Sequence, residues 1–403
     1  MDTLAPPQFA SPFAQTVAAN LGYWQQRKNY PLPLAPAERL ADLRNLSFAL
    51  RFGMECEPTR SQSLDLMGTW FETFEIHGPW KEWIHLMERA IQLCQEEAPA
   101  QACKLLNRLG FLYRLDRQLP TALEIHHRTL HLTEQMALEF EQVYAHFFLS
   151  DDYYAVKNYE QAILQGQLAV AGFERLGAFG PELAGAYNTL GLVAMEQGFF
   201  EQAETHYTQA LALFKTNQRR EKQLHVMNNL AVVLAKMGQY DTALNWIEKA
   251  LHLLAETPNP ILATHLRLMQ GTIYFETRAF AQAEATFLAI DTLFLQQTGL
   301  VWHLGAVSTD LGNVALETAR YPEAEAYLSE AVRHFRQVDD GLNLANSLGD
   351  LARAVASQGR GLEAKAFYDE ALNLLQNYTQ NEWARRLSAK FSAARQRLDE
   401  LKK

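Results

Sequence analysis

The 403 residues include 48% apolar and 20% charged side chains, enough to fill a buried interior and too apolar for a largely disordered chain. A net charge of −10 speaks against a nucleic-acid surface, which needs a concentrated basic field. Cys56, Cys94 and Cys103 are odd in number and widely spaced, so the expectation is a reduced, cytoplasmic chain without a disulfide framework. No apolar run reaches the roughly 18 residues that span a bilayer, and the opening residues lack the basic leader and apolar core of a secretory signal.

In chain order, a proline-rich opening leads to a short helical stretch from Phe13 to Gln26. A second helix starts near Ala37, with Leu40, Leu43, Leu46 and Leu50 along one face. Residues 1–58 therefore read as an N-terminal helical cap.

From residue 59 the sequence repeats itself. Leu190, Gly191, Gly198, Phe200, Ala203, Tyr207 and Ala210 recur with their offsets intact as Leu230, Ala231, Gly238, Tyr240, Ala243, Ile247 and Ala250. Copies follow around Gly271, Gly312 and Ala352 and precede around Gly110 and Ser150, with a degenerate copy near Phe71, Gly78, Trp80 and Ala90. That makes about eight units at a period of roughly 40 residues over 59–378. Each unit is expected to be two amphipathic helices joined by a short turn.

Two positions carry the packing. A small residue in the first helix (Gly110, Ser150, Gly191, Ala231, Gly271, Gly312, Ala352) allows close approach of the second, whose counterpart is the column Ala122, Ala162, Ala203, Ala243, Ala283, Ala324 and Ala364. Large residues four positions after the column, such as Tyr207, Phe287 and Tyr368, are expected to fill space between neighbouring units. In the first unit the column position is Trp83, which marks an end unit or a different packing. Residues 379–403 read as a capping helix with an apolar stripe of Trp383, Leu387, Phe391, Leu398 and Leu401. Its basic residues Arg385, Arg386, Lys390, Arg395 and Arg397 are expected to face outward as a solvated surface.

This pattern resembles the tetratricopeptide repeat, whose usual period is about 34 residues. The longer period is similar to that of extended-helix members such as kinesin light chains, with Asn228 to Ala231 and Gly238 to Tyr240 close to that form. The run from Ala41 to Leu50, followed by Trp70, Phe71, Gly78 and Trp80, resembles the entry to the helical sensor arm of STAND-type signalling ATPases. The nucleotide-binding module of that family is not in the sequence, since no GxxxxGK[ST] occurs. The resemblance implies an all-α, right-handed superhelical solenoid of about eight helix pairs with helical caps.

Catalytic signatures are missing. Glu124, His126, His127 and His131 lack the third ligand that a metal would need and read as helix-surface or groove histidines. Asp151 and Asp152 are adjacent on a helix, point in different directions and read as a solvated face. Neither an enzyme, a metal nor a cofactor is expected, and the partner is expected to be a protein or peptide.

The groove lined by first helices is the better candidate site. Its outward positions are Asn107 and Arg114; then Tyr144, Phe147, Asp151 and Tyr154; then Asn188; then His225, Asn228 and Asn229; then His265 and Phe275; and finally Asn313 and Arg353, with Thr309, Asp310 and Asp350 nearby. Asn107, Asn188 and Asn228 share one offset. The resemblance implies that such asparagines hold an extended peptide backbone, while tying helices together is the alternative. Tyr144, Phe147 and Tyr154 are read either as an apolar hot spot or as packing between units. Arg108, Arg114, Lys236 and Arg353 are too scattered for a carboxylate clamp. A free-standing regulatory or sensor subunit for a separate ATPase, protease or transcription factor is the alternative function.

Overall fold

The computed structural model describes residues 11–27, 36–77, 80–94, 98–255, 259–379 and 381–400. These residues are helical throughout, with no strand among them. The chain divides into two compact units, Met1–Asn217 and Gln218–Lys403.

The first unit opens with α1 (Pro12–Arg27) and α2 (Pro36–Glu55), close to the limits expected from sequence. Four hairpins follow: α3 (Arg60–His77) with α4 (Trp80–Cys94), α5 (Pro99–Leu115) with α6 (Leu119–Gln135), α7 (Glu139–Ala155) with α8 (Tyr159–Arg175), and α9 (Pro181–Glu196) with α10 (Phe200–Thr216). Proline near the start of α5 and α9 suits a position where no amide hydrogen bond is lost. Leu21, Trp24, Leu46, Leu50, Trp70 and Trp83 share one interior in the first four helices. Trp83 packs differently from the alanines of the column: it is fully buried, and its indole N–H donates to Ser47 Oγ of α2 at 3.0 Å. Gly78 of the degenerate opening lies outside the described residues.

The second unit holds α11 (Arg220–Lys236) with α12 (Tyr240–Leu254), α13 (Pro260–Glu276) with α14 (Phe280–Leu288), α15 (Thr292–Gln297), α16 (Val301–Glu317) with α17 (Tyr321–Gln337), α18 (Gly341–Ser357) with α19 (Gly361–Leu375), and α20 (Glu382–Glu400). One second helix is broken in two, between α14 and α15. There Ile290 stands where most other copies have alanine, and the Asp291 side chain accepts from Phe294 N–H at 2.9 Å to start a new helix.

All seven alanines of the column are fully buried. The residue four places on, however, fills its own hairpin's crossing rather than the space between units. A methyl added to Gly191 would lie 2.7 Å from the Tyr207 ring, one on Gly312 2.6 Å from Leu328, and one on Gly271 would collide with the edge of the Phe287 ring. The first helices end alike. Arg117, Lys157, Gly198, Gly238, Arg278, Ala319 and Gly359 all have positive φ, and the next residue's N–H closes the turn, as in Phe199 N–H to Ala194 O at 2.8 Å.

The α20 cap is built otherwise than its stripe suggests. Ala384, Leu387 and Phe391 are buried, Trp383 is 41% exposed, and Leu401 lies outside the described residues. Two of its basic residues, though still open to solvent, pair with the preceding hairpin: Lys390 with Asp350 at 3.2 Å and Arg395 with Asp369. None of the described helices is long and apolar enough to cross a membrane.

Candidate functional site

In each unit the first helices lie side by side: α5, α7 and α9 in one, α11, α13, α16 and α18 in the other. Their outward residues divide sharply between those the fold consumes and those it leaves open.

In the first unit most are consumed. Asn107 is 1% exposed and its amide donates to Glu141 O of α7 at 3.1 Å, so it ties helices and is not a groove residue. Arg114 bridges Asp151 at 2.9 Å and Asp152 at 3.3 Å, lying over Phe111. Thr189 of α9 donates to Asp151 at 2.5 Å. His126 of α6 is fully buried, stacked on Phe148, with Nδ1 2.5 Å from Asp152 and Nε2 3.0 Å from Asn107 O. A carbonyl can only accept, so Nε2 donates to it, leaving Nδ1 to pair with the Asp152 carboxyl. The two adjacent carboxylates are thus no solvated face: one arginine gathers both, and His126 belongs to the interior rather than to the surface. Among the described residues no three His, Cys, Asp or Glu are placed to hold a metal ion.

The aromatic residues Tyr144, Phe147 and Tyr154 are not one cluster. Tyr144 and Phe147 pack on Phe173, with ring centroids 5.4 and 6.4 Å away, and Phe147 also meets α9 at Gly185. Burial and the nearby Glu182 carboxylate push the Tyr144 hydroxyl upward. Tyr154 sits against Tyr159 instead, at 6.4 Å. Asn188 is partly buried and engaged with other residues.

The second unit leaves more open. Asn228 and Asn313 are partly buried and make no hydrogen bond within the described protein, whereas Asn229 is engaged. His225 is exposed. His265 and His303 stack with Nε2 atoms 2.8 Å apart, one donating to the other, and desolvation lowers the proton affinity of both. Phe275 leans on Phe280 at 5.6 Å, and Arg353 is held by Glu317 at 2.5 Å. Asp310 is different again: partly buried on α16, it makes no hydrogen bond or ion pair among the described residues, and burial pushes its carboxyl up to about 7.

Comparison with known proteins agrees with this geometry. The tetratricopeptide repeat family pattern matches residues 182–256 and 304–377, the stretches that form α9–α12 and α16–α19. The regulatory protein RapG of Bacillus subtilis is 27% identical over 139 residues, 34% of this chain; the chain thus spans only 38% of that relative. A STAND protein with a tetratricopeptide repeat sensor from Pyrococcus horikoshii superposes with a TM-score of 0.68 at 12% identity, covering 96% of this chain and 56% of that one. The apo quorum sensor NprR of B. thuringiensis gives a TM-score of 0.56 at 13% identity, covering 90% and 99%. At such identities the likeness is one of fold. Residues 182–256 and 304–377 are thus tetratricopeptide repeats, and the Ala column with its small-to-large crossings carries the same packing through the neighbouring hairpins.

Proposed function

We propose that the chain is a non-enzymatic interaction module that binds a peptide or protein segment across its first-helix faces. The observation that carries this reading is the contrast within α11, α13, α16 and α18. Asn228, Asn313 and Asp310 present polar groups that the fold itself does not use, although each is partly withdrawn from water. Uncommitted amides on a helix face can give and take hydrogen bonds with an extended backbone. Nothing comparable among the described residues supports catalysis, since the acid–base constellation around His126 has both His126 and Asp152 fully buried.

A regulatory role is the second reading, favoured by the partial match to a protein named as regulatory and by the sensor architecture of the STAND structure. It places the chain beside a separately encoded effector and makes the bound segment part of that effector or of its signal. A cytoplasmic setting is part of both readings.

The test is affinity purification from the native cell with mass spectrometry, run beside Asn228→Ala/Asn313→Ala. A protein or peptide held by the wild type and lost from a variant of unchanged melting temperature supports the proposal. Equal recovery with both would overturn groove binding.

A further inference from the structure

Asp310 and Asp350 occupy the same repeat position, two residues before the small residues Gly312 and Ala352. Both stand on first helices, α16 and α18. Asp350 is compensated by Lys390, delivered by α20 as that helix lies against α18 and α19, at 3.2 Å. Asp310 has no such lysine. Among the described residues no cation pairs with Asp310, and most of those on the surrounding helices are spent elsewhere: Arg320 on Glu284 and Glu323, Arg333 on Glu330, Arg336 on Glu370, Arg353 on Glu317, Arg360 on Glu325 and Glu363, and Lys365 on Asp399, while Arg267 of α13 pairs with no carboxylate at all. A partly enclosed carboxylate without a counter-charge is unfavourable, and a cation brought by a partner would relieve it. Asn313 lies one turn further along the same face with its amide uncommitted, where it can meet the backbone of the segment carrying that cation.

We infer that Asp310 receives a lysine or arginine side chain from the bound segment, in the way that Asp350 receives Lys390 from the chain's own last helix. The partner is therefore a peptide or protein segment with a basic residue at its centre. This rests on the first-helix face being the binding surface, and it adds the chemistry that selects the occupant.

The probe is a pair of fluorescent hexapeptide pools, random except for one fixed central residue: lysine in one, its neutral analogue norleucine in the other. Binding is read by polarisation against wild type and Asp310→Asn, with Asp310→Ser as a second variant should the first fail to fold. The expected result is a preference of about tenfold for the lysine pool in the wild type. In the variant that preference falls below about twofold, while the norleucine pool binds as before. An equal lysine preference in wild type and variant overturns the assignment of Asp310 alone. Binding of neither pool to wild type overturns both this assignment and the first-helix face as a peptide site. Asn228→Ala/Asn313→Ala separates the two further: it should weaken both pools alike, leaving the lysine preference in place.

Discussion

Ser150 and Gly166 meet at the crossing of α7 and α8 with their sizes exchanged relative to Gly191 and Tyr207 at the next crossing. A methyl on Gly166 would lie 2.8 Å from Ser150 Oγ, just as one on Gly191 would lie 2.7 Å from the Tyr207 ring. The volume at a crossing is thus shared between two residues. Gly191→Ala should lower stability by about 1–3 kcal/mol through overpacking. Adding Tyr207→Leu should recover part of that loss, because it removes the ring that the methyl strikes. Urea unfolding of the single and double variants decides it; additive losses would mean that the two residues do not share the space.

The Arg114, Asp151, Asp152 and His126 group calls for unequal effects from adjacent residues. Asp152 is fully buried between His126 and Arg114, whereas the Asp151 side chain keeps 20% of its exposure. Asp152→Ala strands a guanidinium and an imidazole in the interior and should cost about 3–5 kcal/mol. Asp151→Ala leaves Arg114 its second carboxylate and should cost about 1 kcal/mol. Unfolding curves showing similar small losses at both positions would contradict the network.

These contrasts mark where sequence reading stops. The alanine column and the helix pairs are legible because packing residues repeat, each copy confirming the last. The broken helix at Ile290 and Asp291 left a trace, an isoleucine at the repeat position held by Ala210, Ala250, Ala331 and Ala371. The His126 group left none: its members come from three helices, 26 and 38 residues apart, and occur once. Asn107 and Asn228 share an offset yet differ in role, since Glu141 O is in reach of one and the other has no such acceptor. Asp310 and Asp350 are likewise alike in sequence, and only the path of α20 tells them apart.

Four first-helix turns place a non-glycine residue at positive φ where three others use glycine. Lys157 has φ 60 and Arg278 φ 61, against 74 at Gly238. A side chain in this region strains the backbone by about 1 kcal/mol, partly offset by the greater freedom of glycine in the unfolded chain. Lys157→Gly and Arg278→Gly should therefore each leave stability unchanged or raise it by up to about 1 kcal/mol. Gly238→Ala should lower it by a similar amount. Thermal melts of the three variants check this, and a loss on introducing glycine would show that the side chain does more than tolerate the turn.

Asp310 also gives the stability a pH signature. Its carboxyl sits at about 7 in the folded protein against an ordinary value of 3.8. Between those values the folded chain holds a proton that the unfolded chain has released, so stability falls as pH rises through that window. Asp310→Asn removes the titrating group and keeps the shape. Below pH 4 the variant and the wild type should be about equally stable. Above pH 7 the variant should be the more stable by about 1–2 kcal/mol, less than the full linkage because solvent still reaches part of the side chain. Urea unfolding of both proteins across pH 4 to 8 measures the difference directly, with every other titration cancelling. A gap that stays constant with pH would mean Asp310 is ionised throughout, and the case for an uncompensated carboxylate would go with it.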